Sequence, residues 1–351
     1  MQELVQSSAA RRPSRWRRAF AWSLALAVAA LSATLFSARL WWLGELAVNF
    51  EFHVGVFAAA VALSLLLLRA RWLAAATALL AVVHLTPDAW LLAPASHAGE
   101  VRTGSTVRVL SANLLQPNTH YDEIAAALRA SDADVIGVLE LSGPMREVLE
   151  RELVEWPHRV GSAPSENSFK RSVWTTALFS KFPLSDVRFV QLFDCYAPLI
   201  EARVASGADS LLVRLVHLPR PGSGERVDAR NAALEQLAQQ FEWGPHTLLI
   251  GDLNTTSSSP HFAALLQRTG LADSRQGFGR QPSWWLRPKP IVRRAGAPDW
   301  LASLVNVRLG IAIDHALTGS GLRTAAREVI ELPFSDHGGV LADFSILGPA
   351  R

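Results

Sequence analysis

Three long apolar runs follow one another near the start of the chain, and they constrain its fold more than any other feature. The runs are Ala19 to Ala38, His53 to Leu68 and Trp72 to Leu92, with short polar breaks between them. A helix needs about 20 apolar residues to cross the roughly 30 Å hydrocarbon layer of a bilayer. The mean hydropathy of +0.18 is high for a soluble protein. We therefore predict three transmembrane helices within residues 19–94.

Two other interpretations of these runs stay open. The first run can be a cleaved signal peptide, although further apolar runs follow at once and no small-residue cleavage site precedes a polar start. The third run contains Pro87 and Asp88, which suits a helix lying on the membrane surface. With only two spans, the rest of the chain would face the cytoplasm.

Charged residues beside the runs predict the orientation of the helices. Lys and Arg collect on the cytoplasmic side of membrane proteins. The basic tail of residues 1–18 and the turn with Arg69 and Arg71 should therefore be cytoplasmic, whereas the loop with Glu45 and Glu51 should lie outside. Three spans then place everything after the third run at the outer face of the cytoplasmic membrane.

The residues after the membrane runs are neutral overall. The whole chain has a formal net charge of +3, but from Val101 onward acidic and basic residues are equal in number. Strong nucleic-acid binding neutralises many phosphates with Lys and Arg, so this balance argues against it. Cys195 is the single cysteine, which excludes an intrachain disulfide and a cluster of zinc-bound thiolates.

From Val107 the pattern changes to short β-branched runs separated by amphipathic helices and turns. The predicted strands are Val107–Ala112, Val135–Leu139, Thr175–Phe179, Leu211–His217, Thr247–Ile250, Ile311–Leu317 and Val340–Ile346. The predicted helices are Tyr121–Ala130, Pro144–Glu155, Arg226–Phe241 and Pro260–Thr269. This mixture favours a layered α/β domain at 107–347, with two sheets face to face and helices outside, joined to the membrane region by a linker at 95–106.

Acidic, amide and imidazole side chains recur where the predicted strands end. They are Asn113, Glu140, His217, Asp252, Asn254, Asp314, Asp336 and His337. A rigid sheet can direct such side chains into a common cleft. A single Asp or Asn at a strand end is more often a turn former than a ligand, but so many in one domain indicate a functional site.

The motifs around these residues resemble those of the endonuclease/exonuclease/phosphatase superfamily, the DNase I-like metal-dependent phosphoesterases. They are RVLSANL, GVLEL, ALFSKFPL, LVHLPRP, LLIGDLNT, AIDHAL and FSDHGGV, in the family's order from Val107 to Ile346. The resemblance implies a four-layered α/β sandwich. It also implies hydrolysis of a phosphoester or phosphoanhydride with Mg²⁺ or Mn²⁺ as the cofactor.

Three of the eight residues are predicted to hold the metal ion. Mg²⁺ prefers oxygen ligands and keeps several waters, so Glu140 as principal ligand, with Asn113 and Asp336, suffices. In several nucleases of the family the residue two past the first Asn is an acidic ligand, but here it is Leu115. We therefore expect one tightly held ion, or a second one that arrives only with the substrate.

The remaining five residues are predicted to be catalytic. Asp252 orients or deprotonates the attacking water, and Asn254 binds that water or the phosphate. His217 and His337 flank the scissile phosphate, and His337 acts as an acid or a base because imidazole titrates near neutrality. Asp314 accepts a hydrogen bond from His337 and thereby fixes its tautomer.

Three features favour a substrate whose phosphate is carried by a lipid. The predicted spans tether the domain to a bilayer, the domain is neutral, and residues 283–310 mix tryptophans with basic residues. Aromatic and basic side chains together suit the headgroup zone of a membrane. The same segment can equally be an ordinary loop that packs its tryptophans on the sandwich.

The sequence therefore leaves three functions open. The first is an outward-facing phosphatase or phosphodiesterase acting on a lipid-linked phosphate, such as a polyprenyl pyrophosphate used in wall synthesis. The second is a surface nuclease acting on external DNA or RNA, which a steep salt dependence would mark. The third is a catalytically silent binding domain, which would need a lost catalytic residue. The family's fold hosts nucleases, inositol-phosphate phosphatases and sphingomyelin phospholipases, so it does not choose among substrates.

Overall fold

Three long apolar helices begin the described part of the chain. The structure is a computed structural model that describes residues 15–93, 103–162, 175–195, 197–207, 209–286, 298 and 309–347. Within these ranges, three helices are long and apolar enough to cross a membrane, namely Arg15–Phe36, Trp42–Leu67 and Arg71–Trp90. Small and branched side chains fill the space between them, including Ala21, Val28, Ala58, Val61, Leu65 and Ala81.

The second of these helices is built from three pieces. After α1 (Arg15–Phe36) the chain forms α2 (Trp42–Ala47), a 3₁₀ turn (Val48–Phe50) and α3 (Glu51–Leu67), and α4 (Arg71–Trp90) follows. The sequence predicted only the part from His53 onward, so α2 and the 3₁₀ turn were missed. The bounds that we predicted for the spans, the linker and the domain stay predictions.

Two six-stranded sheets form most of the remaining described residues. The strands in chain order are β1 (Thr103–Asn113), β2 (Val135–Leu141), β3 (His158–Gly161), β4 (Thr175–Ser180), β5 (Leu184–Val190), β6 (Leu199–Ser206), β7 (Asp209–His217), β8 (Thr247–Asp252), β9 (Ala272–Asp273), β10 (Trp284–Leu286), β11 (Leu309–Ile311), β12 (Asp314–Thr318), β13 (Leu322–Glu331) and β14 (Gly338–Leu347). The first sheet has the order β13-β14-β1-β2-β4-β3, and the second has the order β5-β6-β7-β8-β12-β9. β10 and β11 form a separate two-stranded ribbon.

The two sheets pack face to face between two layers of helices. These helices are α5 (Tyr121–Ala130), α6 (Gly143–Glu152), α7 (Gly224–Gln240) and α8 (Pro260–Thr269). One apolar core joins the inner faces of both sheets, for example Val109 and Leu139 with Leu215 and Ile250. A second core lies under α5 and α6, and a third lies under α7 and α8. This confirms the predicted four-layered α/β sandwich preceded by apolar helices.

Local signals explain the helices that the sequence predicted well. The Ser259 hydroxyl caps α8 by accepting from the His261 backbone, Pro260 occupies the first turn, and Gly270 ends the helix with a φ of +69°. These are ordinary start and stop signals, because proline lacks an amide hydrogen and glycine tolerates a positive φ. Ser142 caps α6 and Ser223 caps α7 in the same way.

The predicted strand Ile311–Leu317 is wrong in one respect, because the structure divides it into two strands. Leu309–Ile311 pairs with Trp284–Leu286, whereas Asp314–Thr318 pairs with β8. The chain therefore changes its pairing partner at Ala312 and Ile313. Sequence periodicity reports alternation within one strand but carries no information about which neighbour the strand pairs with.

The apolar helices contact the sandwich directly. Near the end of α4, Asp88 accepts a hydrogen bond from Arg280 at 3.1 Å. The Arg280 guanidinium lies 3.5 Å from the ring centre of Phe52, and the Leu91 carbonyl accepts from the Gly277 amide at 2.8 Å. The beginning of α3 and the end of α4 thus meet the sandwich on the same side of the bundle.

Candidate active site

The predicted site residues lie at one edge of the sandwich, where strands of both sheets end or begin. β1 runs parallel to β2, and β7 runs parallel to β8, so the carboxyl ends of each pair coincide. β12 is antiparallel to β8, and its first residue, Asp314, pairs with Asp252. β14 is antiparallel to β1 and begins just after His337. This topology brings residues that are distant in the sequence to one cleft.

The backbone around Asp252 has an unusual conformation, which directs the Asp252 side chain into the cleft. Gly251 has a φ of +134°, and a Cβ atom there would overlap the Val216 carbonyl oxygen, so only glycine fits. Asn254 has a φ of +51°, which is uncommon outside glycine. The backbone amide of Asn254 donates to Asp252 Oδ1 at 2.8 Å, which closes the turn and holds the carboxylate.

Glu140 and Asn113 form the side of the cleft that fits a metal ion. Asn113 Nδ2 donates to Glu140 Oε1 at 3.2 Å and to Asp252 Oδ2 at 3.3 Å. The backbone amide of Gln116 donates to Glu140 Oε2 at 3.0 Å. Glu140 has a φ of +54°, so its backbone is also held in the left-handed region. Strain of this kind collects at functional sites, where surrounding contacts maintain it.

Asp336 completes this side of the cleft. Its Oδ2 accepts from Trp284 Nε1 at 3.0 Å, whereas its buried Oδ1 has no hydrogen-bond partner among the described atoms. A buried carboxylate oxygen without a donor is costly, and a divalent cation would satisfy it. The carboxylate oxygens of Glu140 and Asp336 therefore suit a hard ion such as Mg²⁺ or Mn²⁺. Asn113 turns its Nδ2 toward Glu140, and its Oδ1 accepts from the Leu115 backbone amide at 3.1 Å, so its role as a metal ligand stays a prediction.

A second group of ligand atoms lies deeper. One atom each from Asp252, Asp314 and His337 lies within 4.8 Å of the others, and this group could also hold an ion. His337 Nδ1 is however only 2.8 Å from Asp314 Oδ2 and is occupied by that hydrogen bond. Metal binding by Glu140 and proton transfer by the deeper group therefore stay predictions.

His337 and Asp314 form a buried pair. Ser283 Oγ accepts from the Asp314 amide at 3.0 Å, and Ser335 Oγ accepts from the His337 amide at 3.1 Å, so both backbones are fixed. Burial lowers the pKa of His337, but the Asp314 carboxylate and its hydrogen bond outweigh burial and raise the pKa to about 10. His337 Nε2 is 3.9 Å from Asp252 Oδ2.

His217 lies between Glu140 on one side of the cleft and Asp252 in the deeper group. Its Nε2 is 3.8 Å from Glu140 Oε1 and 3.7 Å from Asp252 Oδ2. Burial lowers the pKa of His217, and the nearby Glu140 carboxylate opposes that change. Burial and the Asp314 carboxylate raise the pKa of Asp252 well above its ordinary value. The cleft thus holds one imidazole that favours the neutral form and one that favours the charged form.

His315 follows Asp314 in the sequence but faces away from the cleft. Its Nε2 lies 2.8 Å from the Thr255 carbonyl oxygen, and its ring packs against Phe262 with ring centres 4.6 Å apart. Burial lowers the pKa of His315 to about 4. Successive residues of a strand point to opposite faces, so only one of the two neighbours can reach the site.

The site residues open into a cleft of about 530 Å³. Its lining includes Glu140, His217, Asp252, Asn254, Asp336 and His337 together with Leu46, Asn49, Phe50, Arg220, Trp284, Leu286, Ile311 and Ile313. Asn113 and Asp314 lie behind the lining and touch it through hydrogen bonds. The structure therefore brings all eight predicted residues together, and their individual roles stay predictions.

Sequence reasoning missed several residues of this cleft. Ser283 and Trp284 fix Asp314 and Asp336, yet nothing in the local sequence shows that they reach a strand pair so far along the chain. Leu46, Asn49 and Phe50 come from α2 and the 3₁₀ turn, within the predicted membrane region. A polar Asn and Glu in an otherwise apolar loop were the only available signal. In the tryptophan and arginine segment, residues 287–297 and 299–308 lie outside the described residues.

A larger cavity of about 930 Å³ opens elsewhere, beside β5, β6 and β7. Its buried carboxylate, Glu201, is paired with Arg188 and with Arg214, whose Nε lies 2.6 Å from Glu201 Oε2. The Arg214 guanidinium also lies over the rings of Phe241 and Trp243. Its buried carboxylate is thus already neutralised, so size alone does not make this cavity the better candidate.

Comparisons with known proteins agree with this fold. The sequence profile of the Endonuclease/Exonuclease/phosphatase family matches residues 106–337. A search of curated protein sequences gave no match. Among solved structures, an endonuclease/exonuclease/phosphatase from Beutenbergia cavernae is 19% identical, with 70% of this chain and 72% of that chain covered and a TM-score of 0.51.

Two further solved structures have a similar fold. A humanized D. rerio TDP2 with 14 mutations is 15% identical, with 69% of this chain and 100% of that chain covered and a TM-score of 0.51. The 3′ phosphatase NExo from Neisseria, bound to a product DNA hairpin, is 18% identical, with 68% and 99% covered and a TM-score of 0.50. At these identities the likeness concerns the fold alone.

Proposed function

The chain belongs to the endonuclease/exonuclease/phosphatase family, and we propose that it hydrolyses a lipid-linked phosphate or pyrophosphate at the outer face of the cytoplasmic membrane. Members of this family hydrolyse phosphoester bonds. The observation that carries the proposal is the shared cleft, in which Glu140 and Asp252 lie beside the Asp314–His337 pair and a wall from the membrane region. No family position among the eight predicted residues is lost, which argues against a silent binding domain.

The metal side of the cleft supplies charge stabilisation. Glu140 and Asp336, with Asn113 as the predicted third ligand, would hold a divalent ion, which would polarise the phosphoryl group and neutralise the charge that develops on it. Asn113 keeps the Glu140 and Asp252 carboxylates together through its two hydrogen bonds. Glu140 is further fixed by the Gln116 amide, so this ligand needs little reorganisation when an ion binds.

The deeper side of the cleft handles protons. Asp252 accepts a proton from the attacking water, because its raised pKa makes it a stronger base than an ordinary carboxylate. His337 holds a proton on Nε2, since its pKa is raised to about 10 and Nδ1 is bound to Asp314. It donates that proton to the oxygen of the leaving group as the bond from that oxygen to phosphorus breaks and the water oxygen bonds to phosphorus. Asn254 and His217 bind non-bridging oxygens of the phosphate from the lining of the cleft.

The contacts between membrane helices and sandwich support an outer location. Glu45, in α2, and Asp88, near the end of α4, both reach the sandwich, so the sandwich lies on the side of the bundle opposite to Arg69 and Arg71. Basic loops face the cytoplasm. The sandwich is therefore extracytoplasmic in our proposal, and the helices cross the membrane as three spans.

The walls of the cleft support a substrate with an apolar portion. Leu46 and Phe50 enter from the membrane region, and Leu286, Ile311 and Ile313 face the cleft from the β10–β11 side. Apolar surface beside a phosphate site suits a chain that emerges from the bilayer. Arg220 also lines the cleft, is exposed, and has no ion pair within the described residues, so it is free to bind a second phosphate.

A substrate comparison tests this proposal. Full-length protein in detergent with Mg²⁺ is offered a polyprenyl pyrophosphate, a short-chain soluble pyrophosphate, plasmid DNA and bis-p-nitrophenyl phosphate. We expect phosphate release from the polyprenyl substrate at the highest kcat/KM, and loss of activity in EDTA. Cleavage of the DNA alone, with a steep salt dependence, would replace the lipid proposal with the nuclease.

A further inference from the structure

The first part of the second apolar helix places a buried charge against the sandwich. Glu45 of α2 is 1% exposed, and its Oε1 accepts from Arg230 Nη2 at 2.5 Å and from Ser259 Oγ at 2.5 Å. Arg230 lies on α7 and is fully buried. A buried ion pair of this kind gives little net stability compared with apolar residues of the same volume. Stability of the junction between the apolar helices and the sandwich therefore does not by itself explain the pair.

Arg230 connects this carboxylate to the catalytic turn. Its Nη1 donates to the Asn254 carbonyl oxygen at 2.9 Å. Asn254 has a φ of +51°, and its amide holds Asp252 Oδ1 at 2.8 Å. A residue in such a conformation persists only where its surroundings determine it. One nitrogen of the Arg230 guanidinium is therefore fixed by Glu45, and the other holds the backbone of Asn254, two residues past Asp252.

Asn49 makes a second, independent connection. Its Oδ1 accepts from the Thr256 amide at 2.7 Å, two residues past Asn254. Its Nδ2 donates to the Glu45 and Leu46 carbonyl oxygens at 3.0 and 3.2 Å, which fixes the orientation of the side-chain amide. The segment from Asn254 to Ser259 is thus held from the membrane side at three points.

We propose that Glu45 and Asn49 are positioning residues of the active site, and that the membrane region orients the turn bearing Asp252 and Asn254. This rests on the proposed function only in assigning that turn to catalysis. Cohesion alone is already provided by Asp88 and Arg280, which join the membrane region to the sandwich without bonding to the turn. Catalysis is then confined to the membrane, because a sandwich released from its helices would lose these contacts.

The test uses full-length protein in detergent and the soluble diester bis-p-nitrophenyl phosphate, which has no lipid chain. Asn49→Ala removes one neutral acceptor. The double variant Glu45→Leu with Arg230→Met removes both buried charges together, so that neither is left unpaired. Asp88→Asn is the matched control, because it weakens the same junction away from the turn. Each protein is characterised by Tm, kcat, KM and amide exchange at residues 254–256.

We expect kcat to fall at least about tenfold in both test variants with KM changed by less than about twofold, since small displacements of catalytic groups are costly. The Thr256 amide should exchange faster in Asn49→Ala, while Tm stays near that of the wild type. The control should keep kcat within about twofold of the wild type by the same reasoning. Unchanged kcat and unchanged exchange in the test variants would overturn the proposal.

The outcome is separable from the substrate question. If the wild type hydrolyses no phosphoester at all, the proposed function fails, and amide exchange alone decides the positioning. Unchanged protection of residues 254–256 in Asn49→Ala then overturns it. If the double variant does not fold, Asn49→Ala decides the matter, because that substitution removes no charge.

Discussion

The two charged cavities of the sandwich use buried carboxylates in opposite ways. In the larger one, Glu201 is neutralised by Arg188 and Arg214. In the smaller cleft, four carboxylates converge with only histidines as ion-pair partners among the described residues, namely Glu140, Asp252, Asp314 and Asp336. Uncompensated negative charge costs stability, and it persists where a cation or a proton is to be handled. In the proposed function, this difference separates charge that maintains the fold from charge that serves catalysis.

The largest effect is expected for Asp252→Asn, which keeps the shape of the side chain but removes the base. We expect kcat to fall by about a thousandfold, within the usual range for a general base. Because burial and the neighbouring Asp314 raise the pKa of Asp252, its ionised form destabilises the folded state near neutral pH, so Tm should rise in the variant. Turnover assays measure the fall in kcat, and calorimetry measures the rise in Tm. A lowered Tm would place Asp252 with the charges that maintain the fold.

Glu140→Gln should have the next largest effect, through the metal ion. We expect binding of Mg²⁺ to weaken by at least about tenfold, with part of the lost activity restored at high Mg²⁺. Titration calorimetry and Mg²⁺-dependent rates measure this. The exposed Glu123, whose one ion-pair partner among the described residues is His120, offers Glu123→Gln as the control. Activity of Glu140→Gln that does not respond to Mg²⁺ would remove this residue from the metal site.

Arg220→Ala should change substrate preference more than the rate of the chemical step. Its guanidinium is free to bind a second phosphate, so KM for a pyrophosphate should rise about fivefold or more, on the scale of one charged hydrogen bond. KM for a diester with one phosphate should change less. Steady-state kinetics on the two substrates give the ratio. An equal change for both would assign Arg220 to general attraction of anions.

Glu201→Gln should leave kcat within about twofold of the wild type, since its cavity shares no lining residue with the catalytic cleft. Burial opposes ionisation of Glu201, but Arg188 and Arg214 outweigh it and lower the pKa of this carboxyl below its ordinary value of 4.5. The carboxylate therefore stabilises the fold above about that pH and less as pH falls through its lowered value. The variant should have a lower Tm than the wild type at pH 7, and this difference in Tm should become smaller at acidic pH. Thermal unfolding of both proteins over a range of pH measures the difference.

The sequence predicted the residues of the candidate site better than it predicted the tertiary contacts around them. Asn113, His217 and Asp252 each end an apolar strand, and this local signal holds whatever the rest of the chain does. The four predicted helices of the sandwich are also local, because caps and periodicity lie within each segment. Polar and exposed strands such as Leu184–Val190 and Leu322–Glu331 lack the apolar runs on which the prediction relied.

The parts that could not be predicted depend on contacts between distant residues. Glu45 and Arg230 are 185 residues apart, and neither flanking sequence shows that the two will meet. A helix of six residues between two apolar runs gives too short a pattern to recognise. The wall that the membrane region adds to the cleft follows from tertiary packing, and only the structure shows it.

The most direct test is a crystal structure of the full-length Asp252→Asn protein with Mn²⁺ and a phosphodiester. We predict anomalous density for an ion bound to Glu140, with the phosphate between His217 and His337 and the apolar part of the substrate against Leu46 and Phe50. An ion bound elsewhere, or a phosphate seated in the cavity beside Glu201, would contradict it.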